Sequence, residues 1–490
     1  MEGNTLLEVK DLSISFEGKE EEHVIYKNAN LTIQKGETIG LLGPSGSGKS
    51  VLAKTIFNVA PRQLQHHSGS ISFHSDSGNH QLFPAKKGKN HRIYGAHISM
   101  VFQEPSLAFN PVISIGKQVI EVVRKHQGIG KKEAAALIQQ ELPKFNLDGK
   151  GYLAKYPHQL SGGQLQRLMI LMATVNKPDL LIADEPSTSL DTITQKQVLD
   201  LLIGLREQGT ALLVITHDLK VLRYLKAHIL EVKEHGLSPY TSVTSSQHTI
   251  AKSALGDSIA LKGEGINVRF KDLKAVDNVD FQLKHKEVLG IVGPSGCGKS
   301  TLSKAICSLV PHSGSLSPKY PTGKVQMIFQ HPGSALDPLQ KIGNAVNEAL
   351  RVSGIRDKKV RRAKTEALFD QVGLPLKFYG YRPFQLSGGL KQRACIARAL
   401  ATSPEVLICD EAVSSLDATL KWQIAKLLVS LAQKQGMSLL FISHDIELVS
   451  TICHRVLVMD EGKVVEEFVA GDELPVGGSK TLERLLAARI

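Results

Sequence analysis

Two octapeptides in this chain have the composition to hold polyphosphate: GPSGSGKS at residues 43–50 and GPSGCGKS at residues 293–300. Each fits the pattern G-x-x-x-x-G-K-[ST], follows a short apolar run (Thr38 to Leu42, Val288 to Val292) and precedes a helix-like stretch (Val51 to Val59, Thr301 to Val310). The glycines allow consecutive backbone N–H groups to wrap phosphate oxygens, and the start of the following helix adds partial positive charge. Gly43, Pro44, Ser45, Gly46, Ser47, Gly48 and Lys49 are therefore predicted to form one cradle, and Gly293, Pro294, Ser295, Gly296, Cys297, Gly298 and Lys299 the other. Lys49 and Lys299 are expected to reach the β- and γ-phosphates, and Ser50 and Ser300 to ligate Mg²⁺.

Glycine-rich turns also occur without ligands, so hydrolytic groups are needed to complete the chemistry. The runs LLIADEP (180–186) and VLICDEA (406–412) each end in two adjacent carboxylates, which a purely structural strand rarely carries. Asp184 and Asp410 are expected to hold Mg²⁺ through its water shell, and Glu185 and Glu411 to polarise the attacking water as general bases. Further along, at 32 and 33 residues, His217 and His444 end another apolar strand and are expected beside the γ-phosphate. Gln103 in VFQEP and Gln330 in IFQHP end further short strands, where a neutral amide can join the Mg²⁺ shell and register bound nucleotide. Solvent-facing strand ends or an ordinary loop glutamine would explain any one of these features alone.

The whole set occurs twice in the same order. The glycine loops are offset by 250 residues; Ser161 to Glu185 and Ser387 to Glu411 both span 24, and Glu185 to Asp191 and Glu411 to Asp417 both span 6. The halves differ mainly between the loop lysine and the glutamine, a span of 54 residues in the first half against 31 in the second. The surplus includes the polar stretch His74 to Arg92, read as an exposed β-loop insertion. Nearly continuous apolar runs (Thr38 to Leu42, Leu180 to Ala183, Ala211 to Ile215, and their counterparts Val288 to Val292, Val406 to Cys409, Leu439 to Ile442) suit parallel strands buried on both faces. Helix-like stretches between them, such as Thr194 to Glu207 and Leu420 to Gln435, predict a doubly wound α/β core in each half. The boundaries expected are a first domain over 1–237, a Ser/Thr-rich linker over 238–257 and a second domain over 258–490.

At 490 residues with 42% hydrophobic and 22% charged residues, the composition is that of a folded protein of more than one domain. No run of eighteen apolar residues and no signal-peptide pattern is present, which predicts a chain that stays in the cytosol. The five cysteines, all in the second half and without a CxxC pair, read as reduced core thiols. A net charge of +12 is compatible with nucleic acid, nucleotide or an anionic membrane leaflet, and equally with basic residues scattered on solvated faces.

The elements LSGGQLQR (160–167) and LSGGLKQR (386–393), with the motifs above, make the sequence resemble a fused pair of ABC transporter ATPase subunits over roughly residues 7–230 and 259–466. The resemblance implies two tandem P-loop (RecA-like) nucleotide-binding domains, each with an antiparallel β subdomain and a helical subdomain, that bind and hydrolyse ATP with Mg²⁺. It implies that Ser161, Gly162, Gly163 and Gln164, and Ser387, Gly388 and Gly389, present a helix start to the γ-phosphate held by the other half, and that Phe16 and Phe270 stack on adenine. Leu390 departs from the pattern, standing where the signature ends in Gln, which predicts a modest asymmetry between sites.

The flanks of both signatures and the stretch 104–128 are similar to the two ATPase subunits of peptide and nickel importers, and DEAVSSLD (410–417) looks more like the nickel branch. That likeness implies an importer of peptides or of nickel or a metal chelate, with two transmembrane permease subunits, a substrate-binding protein, peripheral attachment to the cytoplasmic side of the cell membrane, and no nucleic acid. The permease helices are expected near Gln103 and Gln330, beside the helical segments Ile115 to Leu147 and Ile342 to Leu374. The rival class is a soluble tandem ATPase of the same family acting on ribosomes or nucleic acid; a scaffold without turnover conflicts with two intact Glu/His sets.

Overall fold

A computed structural model describes residues 4–17, 22–44, 46–61, 63–75, 78–84, 92–147, 151–188, 190–241, 254–271, 273–321, 323–414, 416–471 and 477–489. Ser45 of the first glycine loop and the middle of the segment read as a linker, 242–253, lie outside these residues. The chain falls into two compact units, the first built on Met1–Leu190 and Thr194–Thr244, the second on Asp191–Ile193 and Ser245–Arg489.

In the first unit, strands β1 (Thr5–Phe16), β2 (His23–Gln34), β4 (Leu64–Ser75) and β5 (Gly78–Phe83) form an antiparallel sheet in the order β2-β1-β4-β5. The second sheet has the order β10-β9-β3-β8-β7-β6, from β3 (Thr38–Leu42), β6 (Ile98–Val101), β7 (Leu180–Asp184), β8 (Ala211–Thr216), β9 (His228–Lys233) and β10 (Gly236–Pro239). It is parallel except at the β9–β10 edge. Strand β10 takes Ser238 and Pro239 into this sheet.

The parallel strands read as unbroken apolar runs because both of their faces are covered, and the two-residue period sends alternate side chains to separate cores. Leu180, Ile182, Leu213 and Ile215 pack with the antiparallel sheet and the helix Lys49–Ile56. Leu181, Ala183, Leu212 and Val214 pack with the helical layer, which includes Ile115–Gln127, Lys131–Glu141 and Gly162–Thr174. The described part of the surplus stretch of the first half is largely strand, and residues 76–77 and 85–91 of it lie outside the described residues. Strand β5 lies within it, pairs with β4 and buries Leu82 fully, because alternation turns that residue onto the core face.

The second unit repeats the plan. Strands β11 (Ile259–Phe270), β12 (Leu273–Lys284) and β14 (Ser313–Ser317) make a three-stranded antiparallel sheet. Strands β13 (Val288–Val292), β15 (Val325–Ile328), β16 (Val406–Asp410), β17 (Ser438–Ile442), β18 (Arg455–Asp460) and β19 (Lys463–Val469) follow the order β15-β16-β17-β13-β18-β19. Cys395, Cys409 and Cys453 pack into its helical-side core. Burial pushes the Cys395 thiol up to about 11, which keeps it un-ionised at neutral pH.

Since β3, β7 and β8 are parallel, and likewise β13, β16 and β17, their C-terminal ends line one edge of each sheet, where α/β folds place ligands. Register sets Asp184 beside Ile215 and Leu42 beside Thr216 in the first unit, and Asp410 beside Ile442 in the second.

At that edge of the second unit, Lys421 on the helix Ala418–Gln435 is ion-paired with Asp445, which follows His444 and caps the helix Ile446–Ile452 through the Leu448 N–H. Burial would raise the Asp445 carboxyl, but Lys421 and the Leu448 N–H outweigh it and hold the group far below the ordinary carboxylate range. A depressed carboxyl stabilises the fold above its unfolded pKa, and that contribution fades only as pH falls below it. Lys421→Met is therefore expected to lower the second unit's stability by about 2 kcal/mol at neutral pH, with the loss constant from pH 8 to about pH 5 in thermal denaturation. An unchanged melting temperature would remove the ion pair from the account.

Candidate active sites

Each glycine loop leaves the end of a central strand and enters a helix through a glycine in the left-handed region, Gly48 at φ 98° and Gly298 at φ 106°. A Cβ on Gly48 would lie 2.8 Å from Ile25 Cγ2, and one on Gly298 would lie 2.3 Å from the Ala275 carbonyl oxygen, so both backbone shape and space demand glycine. Lys49 Nζ donates to the carbonyl oxygens of Gly43 (2.7 Å) and Pro44 (2.8 Å), and Lys299 Nζ to those of Gly293 and Pro294 (both 2.8 Å). The ammonium groups are thus drawn over the loop itself. Ser47 and Cys297 occupy equivalent places, with Ser47 Oγ 3.5 Å and Cys297 Sγ 3.8 Å from the lysine amine. A thiol is the weaker acceptor of the two.

The second residue of each loop helix meets the carboxylate strand. Ser50 Oγ donates to Asp184 Oδ1 and Ser300 Oγ to Asp410 Oδ1, both at 2.9 Å. Burial raises both aspartates above the ordinary carboxylate value, opposed by the serine hydroxyl and reinforced by the adjacent glutamate. A hydroxyl and an under-compensated buried carboxylate converging in this way are a donor set suited to a hard cation with oxygen ligands.

Glu185 and Glu411 share a backbone feature that no spacing announces: both lie in the left-handed region, at φ 50° and 48°. Such a conformation in a non-glycine residue costs about 1–2 kcal/mol. It persists because each backbone N–H is tied to the neighbouring strand, Glu185 N–H to the Ile215 carbonyl (2.9 Å) and Glu411 N–H to that of Ile442 (3.0 Å). The turn separates the carboxyls of two consecutive acidic residues, giving each its own partners.

For Glu185 those partners are His217 Nδ1 at 2.9 Å, the Thr188 hydroxyl at 2.6 Å and the Thr216 hydroxyl at 3.2 Å. Burial pushes the carboxyl up, yet His217, Thr188 and Lys49 together hold it below its ordinary value. Glu411 is held otherwise: Gln330 Nε2 donates to its Oε2 at 2.6 Å, and His444 Nδ1 stands 3.8 Å away. Burial is again outweighed, here by His444 and Lys299. Gln330 is thus placed on the Glu411 carboxylate rather than on Asp410, a partner the sequence did not suggest. Thr188 and Thr216 were also missed; the only available signal was a hydroxyl residue just before the histidine, which recurs as Ser443.

The signature segments start helices as expected, Gly162–Thr174 capped by the Ser161 side chain and Gly388–Leu400 with Ser387 at the N-cap position. Their second glycines are closely approached by side chains: a Cβ on Gly163 would lie 2.6 Å from Thr194 Cγ2, and one on Gly389 would lie 2.4 Å from Leu420 Cδ2. Gly162 has open space around its Cα. Ser161 and Gln164 form a reciprocal capping box (3.1 and 3.3 Å), whereas Leu390 leaves Ser387 without a side-chain cap and packs against the core instead. Phe16 and Phe270 each end the long first strand of an antiparallel sheet, Phe16 partly buried and Phe270 exposed. Gln103 follows β6, two residues beyond Val101.

Two units with a lysine-bearing glycine loop, a serine–aspartate pair and a glutamate–histidine pair at the strand ends define a tandem P-loop ATPase. The ABC transporter family matches residues 26–188 and 276–414, and the chain belongs to that family. It is 36% identical to the uncharacterized ABC transporter ATP-binding protein YejF of Escherichia coli K12, over 94% of this chain and 95% of that protein. It is 33% identical to the glutathione import ATP-binding protein GsiA of Salmonella typhimurium LT2, over 95% of this chain and 86% of that protein. Among solved structures, an archaeal ribosome recycling factor, aABCE1, in complex with the ribosomal stalk protein aP1, matches with a TM-score of 0.63 at 19% identity, over 95% of this chain and 90% of that one. At that identity the likeness bears on the fold alone. The chain is an ATP-binding, ATP-hydrolysing member of the family.

The opposition between burial and His217 at Glu185 has a measurable sign. Replacing His217 by Ala removes the main lowering influence and leaves burial, so the Glu185 carboxyl is expected to titrate at higher pH. The acid limb of the pH–rate profile for ATP hydrolysis should move upward in the variant; an unshifted limb would contradict the assignment of His217 as the group that keeps the base ionised.

Proposed function

We propose that this chain is the motor of an importer that takes up small peptides, turning over ATP at both units and driving separate membrane subunits. The observation that carries the reading is the duplicated glutamate–histidine pairing beside a complete glycine loop, on a chain similar over nearly its whole length to a glutathione import ATP-binding protein. Glutathione is a tripeptide, so of the two cargo classes left open by the sequence, peptide is favoured over a nickel or metal-chelate ligand.

In the chemistry proposed, Lys49 and Lys299 leave the loop carbonyls for the phosphate oxygens, which are stronger acceptors. Ser50 with Asp184, and Ser300 with Asp410, would hold Mg²⁺, which would spread the developing charge on the phosphate oxygens. Glu185 or Glu411 accepts a proton from water while the water oxygen bonds to the γ-phosphorus and the bond to the β–γ bridging oxygen breaks, releasing ADP and phosphate. His217 and His444 keep those carboxylates ionised and aimed. Gln330 must release Glu411 for the second unit to act, which makes the segment after β15 a natural point of control.

The connection to membrane subunits rests on the surface next to the glutamines. Leu107 (78% exposed) and Val112 (79%) follow Gln103, and Leu339 (76%) follows Gln330 at the place equivalent to Val112. Solvent-facing apolar residues at matching positions suit the short cytoplasmic helices of two permease subunits, with a substrate-binding protein delivering cargo on the far side. Among the described residues no helix is long and apolar enough to cross a membrane, so attachment would be peripheral, on the cytoplasmic side.

Glu185→Gln combined with Glu411→Gln is expected to reduce phosphate release by at least about 10³-fold while ATP stays bound, measured by release of inorganic phosphate and by nucleotide retention on the purified chain. Undiminished release would exclude the general-base assignment, and recovery of the wild-type chain with ribosomes instead of membranes would overturn the importer reading.

A further inference from the structure

The helical hairpin of the second unit, Ile342–Val352 and Lys358–Gln371, carries charge that the fold does not use. Between Arg351 and Lys364 there are seven cationic residues and one acid, Asp357. Asp357 is engaged as the helix cap, accepting from the N–H groups of Lys359 (2.7 Å) and Val360 (3.0 Å). Arg361 Nη1 donates to the carbonyls of Ile355 (2.9 Å) and Arg356 (2.7 Å) and so fixes the turn. Arg362 pairs with Glu366 and lies over the Tyr379 ring at 3.5 Å from its centroid.

Arg356, Lys358, Lys359 and Lys364 remain exposed and, among the described residues, in no ion pair. They flank two outward-facing valines, Val352 (72% exposed) and Val360 (46%). Folding gives no reason for this arrangement, because cations in the first turns of a helix oppose its dipole. The corresponding helix of the first unit, Lys131–Glu141, has Glu133, Ala134, Ala135 and Leu137 where the second has Val360, Arg361, Arg362 and Lys364. Lys131 and Lys132 stand at the places of Lys358 and Lys359, but Ile129 and Leu137 replace Arg356 and Lys364, so the full set of four cations belongs to the second unit.

We infer that this hairpin tip docks directly on an anionic phospholipid surface, its four free cations meeting several headgroup phosphates at once and its two valines entering the headgroup layer. Charge complementarity selects an anionic partner, and the valines favour lipid over nucleic acid, since the tip presents no exposed aromatic ring on which a base could stack. The inference rests on the reading of the chain as a membrane-associated motor and adds a contact that needs no permease.

The test is co-sedimentation of the full chain with vesicles of phosphatidylcholine alone or with about 30% phosphatidylglycerol, at about 50 mM and 500 mM salt. The wild type is expected to sediment with the anionic vesicles at low salt only. The variant carrying Arg356→Ala, Lys358→Ala, Lys359→Ala and Lys364→Ala should bind them at least about tenfold more weakly, given roughly fivefold per charge, while hydrolysing ATP at the wild-type rate. Equal sedimentation of the two proteins, no sedimentation of the wild type with anionic vesicles, or preferential binding of single-stranded RNA through the same four residues would each overturn the inference. Co-purification with permease subunits, measured separately, would still decide the importer reading.

Discussion

Two acidic residues in succession, both buried, are the constraint around which each unit is arranged. Asp184 and Glu185, like Asp410 and Glu411, sit at a strand end where burial disfavours either charge. The arrangement is tolerable only because the glutamate backbone turns into the left-handed region and sends its carboxyl to different partners from its neighbour's. The aspartate is left facing the loop serine, and the glutamate facing the histidine side. The adjacent strand enforces the turn through the Glu185 and Glu411 N–H bonds, so the register of the parallel sheet sets how the two carboxyls diverge.

Against that shared frame, the units differ in the details that govern control. Glu185 is gripped by one histidine and two threonines, Glu411 by a glutamine that follows β15 and connects to the helical layer. The Ser161 cap is engaged by Gln164, and the Ser387 cap is not engaged by Leu390. An ion pair, Lys421 with Asp445, stiffens the segment next to His444, while the first unit has Gln195 at the place of Lys421. The two units thus hold equivalent residues through different contacts.

Much of this was legible in the residues. The apolar runs marked the buried parallel strands, since both of their faces are covered, and the glycine–lysine octapeptides marked the loops because few other sequences satisfy that turn. Serine and aspartate were each expected at Mg²⁺, and glutamate and histidine each near the γ-phosphate; their direct serine–aspartate and glutamate–histidine pairings come from the fold. Less legible were features set by three-dimensional packing. The positive φ at Glu185 depends on a hydrogen bond to a strand 30 residues further on, at Ile215. The burial of Leu82 inside an otherwise polar insertion depends on pairing with β4. The second signature glycine looked like a phosphate donor, yet it is closely approached by Thr194 or Leu420, which spacing could not reveal.

The central claim is that one chain holds two complete phosphate-binding sites. The most direct test is equilibrium binding of ATP with Mg²⁺ to the chain carrying both glutamate-to-glutamine changes, with the stoichiometry read by calorimetry or by equilibrium dialysis. Two nucleotides per chain are predicted, falling to one when either Lys49 or Lys299 is replaced by alanine. A single nucleotide per chain in the presence of both lysines would contradict the account.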